Sequence, residues 1–156
     1  MNVIVVGVDG SEHAEAALEF AVEEAALRGA RLHIVFAWNV PTTAALGILS
    51  SKLMRSFDDE AERIVRAAVA RVRELQPACL CESRVVKGRP ASVLLAEARG
   101  ATLLVLGSPG RGDAAEMLLG SVSQQVLHHA SCPVTMVPKT RTRLPVVSPS
   151  GESSPA

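Results

Sequence analysis

The chain has 156 residues, enough for one domain, and 48% of them are hydrophobic while only 3% are aromatic, so its core must be built from Val, Leu, Ile and Ala. Its 16 basic and 16 acidic residues balance, which excludes a general electrostatic attraction to nucleic acid or to an anionic membrane. No apolar run approaches the roughly 20 residues of a membrane span, no basic segment opens the chain, and the odd number of cysteines argues against a disulfide framework. These features predict a soluble cytoplasmic protein.

The first part of the chain alternates apolar strands with an amphipathic helix. Val3 to Val8 predicts a buried strand, and Asp9-Gly10-Ser11 after it predicts a turn with a helix cap. The next helix ends at Gly29, and Arg31 to Trp38 predicts the second strand. One apolar stripe runs along that helix and consists of Ala14, Ala17, Leu18, Ala21, Val22 and Ala25.

The middle of the chain is less regular. Asn39 to Phe57 contains Pro41 and Gly47 and favours a packed loop, with a partly helical lid over a pocket as the alternative. Asp58 to Leu75 predicts a long helix whose charges form a solvated face. Cys79 to Val86 predicts the third strand.

Three side chains of types that bind metals are interpreted as structural. His33 has no Cys, His or carboxylate at ligand spacing along the chain. Cys79 and Cys81 form a C-x-C pair without the further ligands of a zinc site. We therefore expect a packed histidine and buried thiols.

The remaining elements follow in the same alternation. Gly88-Arg89-Pro90 begins a short helix, Thr102 to Leu106 predicts the fourth strand, and a helix over Ser121 to Ala130 precedes a fifth strand over Pro133 to Val137. This pattern predicts an α/β domain over residues 1–138 with a parallel sheet and helices on both faces. The Pro-, Ser- and Thr-rich residues 139–156 predict a disordered tail.

The segment from Gly107 to Ser123 joins the fourth strand to a helix. A helix N-terminus offers free backbone N–H groups and the positive end of its dipole, and glycines let a ligand approach the backbone. Together with the hydroxyls of Ser121 and Ser123 these features are typical of a phosphate site. The alternative is a surface loop with an ordinary serine cap.

The glycine spacing in this segment resembles the nucleotide loop of the universal stress protein family. The pattern Gly-x2-Gly-x9-Gly-Ser is formed by Gly107, Gly110, Gly120 and Ser121. The resemblance extends over residues 2–138 and includes the motifs Val-Gly-Val-Asp9-Gly-Ser, Gly88-Arg-Pro and Cys132-Pro-Val. It implies a doubly wound, Rossmann-like or flavodoxin-like sheet of strand order 3-2-1-4-5. A ligand then binds where the loops after strands 1 and 4 meet.

By this resemblance the ligand is ATP or a related adenine nucleotide such as AMP or cyclic AMP, bound with Mg²⁺. Asp9 would lie near the ribose and the metal ion, and Arg111 would be the charge partner of the phosphates. The backbone contacts implied for the base, the ribose and the phosphates come from Gly7, Val8, Ala37, Gly107, Gly110, Gly120, Ser121, Val122 and Ser123. The family also pairs the last strand, Pro133 to Val137, across a two-fold axis, which implies a homodimer.

One feature of the loop opposes a polyphosphate ligand. Asp113 and Glu116 outnumber Arg111, so the loop carries a net charge of about −1. Three functions therefore remain open. They are a regulatory nucleotide-binding module in stress responses, a slow Mg²⁺-dependent ATPase, and a nucleotide-free dimeric interaction protein.

Overall fold

The computed structural model describes residues 2–40, 46–47, 50–108 and 120–139. Strands and helices alternate along the chain as β1 (Val3–Gly7), α1 (Glu12–Arg28), β2 (Arg31–Trp38), α2 (Ser51–Leu75), β3 (Cys81–Lys87), α3 (Pro90–Glu97), β4 (Leu103–Ser108), α4 (Ser121–His129) and β5 (Val134–Pro138). The five strands form one parallel sheet of order β3-β2-β1-β4-β5. The α/β fold and the strand order implied by the resemblance are both confirmed.

The sheet separates two apolar layers because successive strand residues point to opposite faces. Ile4 and Val6 of β1 pack with the apolar stripe of α1 and with Ala68 and Val72 of α2. On the other face, the layer around Val5 contains residues of α3 and α4, namely Ala91, Leu94 and Val126. Both faces of the central strands are covered, which explains their continuous apolar sequences.

Helix α1 forms as its sequence predicts. The side chain of Ser11 accepts a hydrogen bond from the Ala14 N–H at 3.2 Å and so caps the helix. At the other end Gly29 adopts a left-handed conformation with φ of 58°. All six residues of the predicted stripe are buried, which confirms the face that α1 turns to the sheet.

Helix α2 begins at Ser51, seven residues before the predicted start at Asp58, so the packed-loop interpretation is wrong for residues 51–57. Its N-cap is Ser50, whose hydroxyl accepts from the Leu53 N–H at 3.3 Å. The extra turns are held by contacts that local sequence does not show. The Phe57 ring stacks on Trp38 with centroids 5.8 Å apart, and the Lys87 Nζ lies 5.4 Å from the centre of the Trp38 ring. Lys87 also pairs with Asp58 at 2.9 Å.

The third strand begins later than predicted, at Cys81 instead of Cys79. The Cys79 N–H donates to the Gln76 carbonyl at 3.0 Å, so Cys79 belongs to the turn after α2. Both cysteines pack against the layer of α1 and α2, as expected for apolar-like thiols, and burial raises the pKa of Cys79. Within the described ranges, no helix is both long enough and apolar enough to cross a membrane.

The end of β4 lies against the first turn of α1. A Cβ atom built on Gly107 would lie 2.5 Å from the carbonyl carbon and oxygen of His13, and 2.9 Å from the Ala14 nitrogen. These are backbone atoms of a helix, so they cannot turn aside as a flexible side chain does. Glycine at position 107 is therefore a packing requirement of the fold.

We expect Gly107→Ala to lower the free energy of unfolding by about 2 kcal/mol, because the added methyl group overpacks two backbone segments. Gly120→Ala is the matched control, since a Cβ there meets no atom of the described residues within 4 Å, and the change in helix-cap preference costs less than about 1 kcal/mol. Urea unfolding of both variants measures the difference. Equal losses in the two variants would contradict the close approach.

Candidate functional site

A crevice opens at the carboxyl ends of the central strands, where the chain order of the sheet reverses. β1 pairs with β2 on one side and with β4 on the other, so the segments after β1 and β4 diverge from one point. Doubly wound sheets bind their ligands at this point. The cavity has a volume of about 310 Å³, within the roughly 300–1,000 Å³ of small-molecule sites.

The crevice brings together residues from both ends of the sequence. Eight of the residues predicted for the site line it, namely Gly7, Val8, Asp9, Ala37, Gly107, Gly120, Val122 and Ser123. Ser121 is exposed at the first position of α4 and does not line the cavity. Gly110 and Arg111 lie outside the described residues.

The segment after β1 is a fixed turn. The Asp9 Oδ1 accepts a hydrogen bond from the Ser11 N–H at 2.9 Å, in the manner of an Asx turn. Gly10 has a φ of 81°, which favours glycine, and a Cβ there would lie 3.2 Å from the Ile64 side chain. One oxygen of Asp9 thus holds the turn, while a carboxylate has a second oxygen to offer a metal ion.

The N-terminus of α4 is the part of the crevice suited to an anion. Its N-cap is Gly120, and no side chain of the described residues caps the helix there. This differs from the ordinary serine cap that the sequence left open. The Gly120 carbonyl accepts from the Gln124 N–H at 3.0 Å, which closes the first turn and leaves the preceding N–H groups for a ligand. With the helix dipole they favour a phosphate.

The rest of the described lining is mostly apolar, and sequence reasoning largely missed it. Val35 and Ala37 lie two residues apart on β2 and face the same side, so Ala37 alone would have indicated Val35. The helical period of α3 marks the inward position of Leu94, and Pro90 belongs to the Gly88-Arg-Pro motif. The lining residues not assigned from sequence are Ser11, His13, Ala14, Val35, Pro90, Leu94 and Leu106.

Charge in the crevice is sparse. Among its described lining residues Asp9 is the only carboxylate, His13 is the only histidine, and no Lys or Arg contributes. Any attraction for an anion from these residues therefore depends on hydrogen-bond donors and on the dipole of α4.

A second cavity of about 220 Å³ lies between α1 and α2. It contains Gly10 and Ser11 but neither Gly107 nor any residue of α4. The Arg71 guanidinium at its wall already pairs with Glu19 at 2.6 Å. It lacks an uncapped helix N-terminus, so we assign the ligand site to the crevice.

His33 has neighbours that sequence spacing did not reveal. Its Nε2 lies 2.8 Å from the Glu97 Oε2, and its Nδ1 lies 3.3 Å from the Glu82 Oε1, close enough for ion pairing but not aligned as a hydrogen bond. Arg84 pairs with the other oxygen of Glu97 at 2.8 Å. The buried imidazole therefore joins β2 to β3 and α3, and in the described part of the chain no cluster of three metal-binding side chains exists.

Comparison with known proteins shows which family the chain is similar to. The model of the universal stress protein family matches residues 1–138. A universal stress protein of Mycobacterium tuberculosis is 39% identical over 131 residues, which cover 84% of this chain and 43% of that protein. One of Thermus aquaticus is 36% identical over 142 residues, covering 86% of this chain and 96% of that protein. The chain thus spans less than half the length of the mycobacterial relative.

Solved structures agree with the fold. A universal stress protein family member from Burkholderia pseudomallei superposes with a TM-score of 0.68 at 33% identity, covering 88% of this chain and 96% of that one. A universal stress protein in complex with cAMP gives 0.64 at 29%, covering 89% and 98%. One from Archaeoglobus fulgidus in complex with dAMP gives 0.66 at 26%, covering 88% and 98%. The chain belongs to the universal stress protein family.

Proposed function

We propose that the chain binds ATP or a related adenine nucleotide in the crevice, with Mg²⁺, and acts as a regulatory module in stress responses. The observation that carries this proposal is the N-terminus of α4. Among the described residues no side chain caps it, and it opens into a cavity whose lining includes apolar side chains and the carboxylate of Asp9.

The two parts of the crevice fit the two parts of a nucleotide. Val35, Ala37 and Leu94 provide apolar surface for a base, while Gly120, Val122 and Ser123 at the start of α4 provide donors for phosphate oxygens. Two structurally similar family members bind cAMP and dAMP, which both combine adenine with a phosphate group. Gly107 and Gly110 would admit the ribose and phosphates, and Arg111 would pair with them.

Introducing a capping carboxylate at position 120 separates helix stability from ligand binding. An Asp side chain at position 120 meets no described residue at its Cβ, and the φ of −53° and ψ of 154° there are compatible with an N-cap, so we expect Gly120→Asp to stabilise the free protein by about 0.5 kcal/mol. The same carboxylate would occupy the N–H groups of α4 and repel phosphate.

The melting temperature with and without Mg-ATP measures both effects. At a ligand concentration of about 100 times Kd, binding stabilises the native state by about 2.7 kcal/mol, so the wild-type melting temperature rises by roughly 10 °C. We expect no rise in Gly120→Asp, and a partial rise in Gly120→Ser, which caps the helix without a charge. A full rise in the melting temperature of Gly120→Asp would show that the phosphates bind elsewhere. No rise in the melting temperature of the wild type would favour the nucleotide-free alternative.

The proposed metal role of Asp9 has its own test. Asp9→Asn keeps an oxygen that accepts from the Ser11 N–H but removes the negative charge, so the turn should persist while the metal ligand weakens. We expect the wild type to bind ATP more tightly in Mg²⁺ than in EDTA, and Asp9→Asn to bind equally in both. Calorimetric titration under the two conditions decides. If Asp9→Asn still binds ATP more tightly in Mg²⁺ than in EDTA, by the same factor as the wild type, Asp9 is not the metal ligand.

We also propose that β5 pairs with its counterpart in a homodimer. The sheet has two edges, and the edge strand β3 carries the charges of Glu82, Arg84 and Lys87, which oppose edge pairing. The other edge strand, Val134–Pro138, has the sequence VTMVP without a charged residue. An uncharged open edge favours association through that strand.

We expect Thr135→Lys to convert a dimer of twice 16.4 kDa into a monomer, because it places like charges across the paired edges. Ser83→Lys on the exposed edge strand β3 is the matched control and should remain dimeric. Sedimentation equilibrium measures the mass of each. A wild-type monomer at all concentrations would refute the dimer, and a monomeric Ser83→Lys would move the interface to β3.

A further inference from the structure

His13 is a titratable side chain in the crevice to which the sequence assigns no role. It lies at the second position of α1 and lines the crevice together with Asp9 and Gly107. Its Nδ1 atom is buried and has no hydrogen-bond partner among the described residues. Buried polar atoms in native proteins are nearly always paired, so an unpaired one at a cavity indicates a group that a ligand or solvent completes.

The position of this imidazole is fixed by its backbone. The His13 carbonyl lies against Gly107, and the Ser11 side chain caps the same turn through the Ala14 N–H. The side chain therefore starts from a rigid point between the Asp9 turn and the end of β4. A group held in this way loses little conformational entropy when it binds a ligand.

The side chains beside His13 offer few donors, because the Asp9 carboxylate only accepts hydrogen bonds and the Ser11 hydroxyl has a single O–H to donate. Asp9 Oδ1 accepts from the Ser11 N–H, and the Ser11 Oγ accepts from the Ala14 N–H. No Lys or Arg is present among the described lining residues, so a phosphate entering beside β4 meets few side-chain donors. An imidazole N–H supplies one, and phosphate oxygens only accept.

We propose that the Nδ1–H of His13 donates a hydrogen bond to a phosphate group of the bound adenine nucleotide. This inference rests on the proposed function and adds an imidazole donor to the backbone N–H groups at the start of α4. The phosphate would also select the Nδ1–H tautomer of the imidazole.

Two amide variants distinguish the ring nitrogens. His13→Asn places an amide where Nδ1 lies, whereas His13→Gln places it where Nε2 lies, with nearly the same change in size. Calorimetric titration with Mg-ATP should show about a tenfold higher Kd for His13→Gln, as for the loss of one hydrogen bond to a charged group. His13→Asn should recover the affinity to within about threefold. His129→Gln, at the exposed end of α4, is the control for a histidine outside the crevice.

Adenosine separates a phosphate contact from a structural role. Since adenosine lacks phosphate, its Kd should be the same in the wild type and in both His13 variants. Unchanged Mg-ATP binding by His13→Gln, or an equal loss for adenosine, would overturn the inference. If the wild type binds neither ligand, the proposed function itself fails, and that result is seen without any variant.

Discussion

The close approach of β4 to the first turn of α1 is the constraint on which the crevice depends. With no Cβ at Gly107, the carbonyl of His13 can lie against the end of the strand. This contact fixes α1 beside the switch point of the sheet, and so fixes the Asp9 turn that precedes the helix. The glycine that begins the Gly-x2-Gly-x9-Gly-Ser pattern thus acts first on packing. Its effect on ligand access follows from where it allows the helix to lie.

A second consequence concerns the two helices that meet at the crevice. At helix α1 the Ser11 side chain accepts from the Ala14 N–H, whereas at α4 no side chain of the described residues caps the helix at Gly120. The N–H groups at the start of α4 are therefore the more available for an anion. In the proposed nucleotide site α1 would position side chains and α4 would offer backbone donors, so the phosphates would lie at the start of α4.

Local patterns predicted most of the helices and strands, whereas the strand order and eight of the described lining residues of the crevice were implied by the family resemblance. The stripe of α1 and its caps depend on neighbours along the chain, so Ser11 and Gly29 were identified correctly. The start of α2 was not, because residues 51–57 are held by Phe57 stacking on Trp38, a contact across the fold. The carboxylates around His33 were also missed, because they come from β3 and α3, which lie far from His33 along the chain. The apolar wall of the crevice was missed because Val35 and Leu94 look like any core residues until the topology aligns them.

The electrostatics of the crevice point to the role of a metal ion. The described lining residues offer a carboxylate and no basic side chain, so a polyphosphate would meet Asp9 without a compensating cation. Two exposed like charges oppose each other by up to about 1 kcal/mol, which salt reduces. A divalent cation between Asp9 and the phosphates reverses the sign of this interaction, since both groups are then ligands of the same ion. In the proposed site this arrangement would favour a nucleotide that arrives with Mg²⁺ over a free one, and it would reconcile an acidic side chain with bound phosphates.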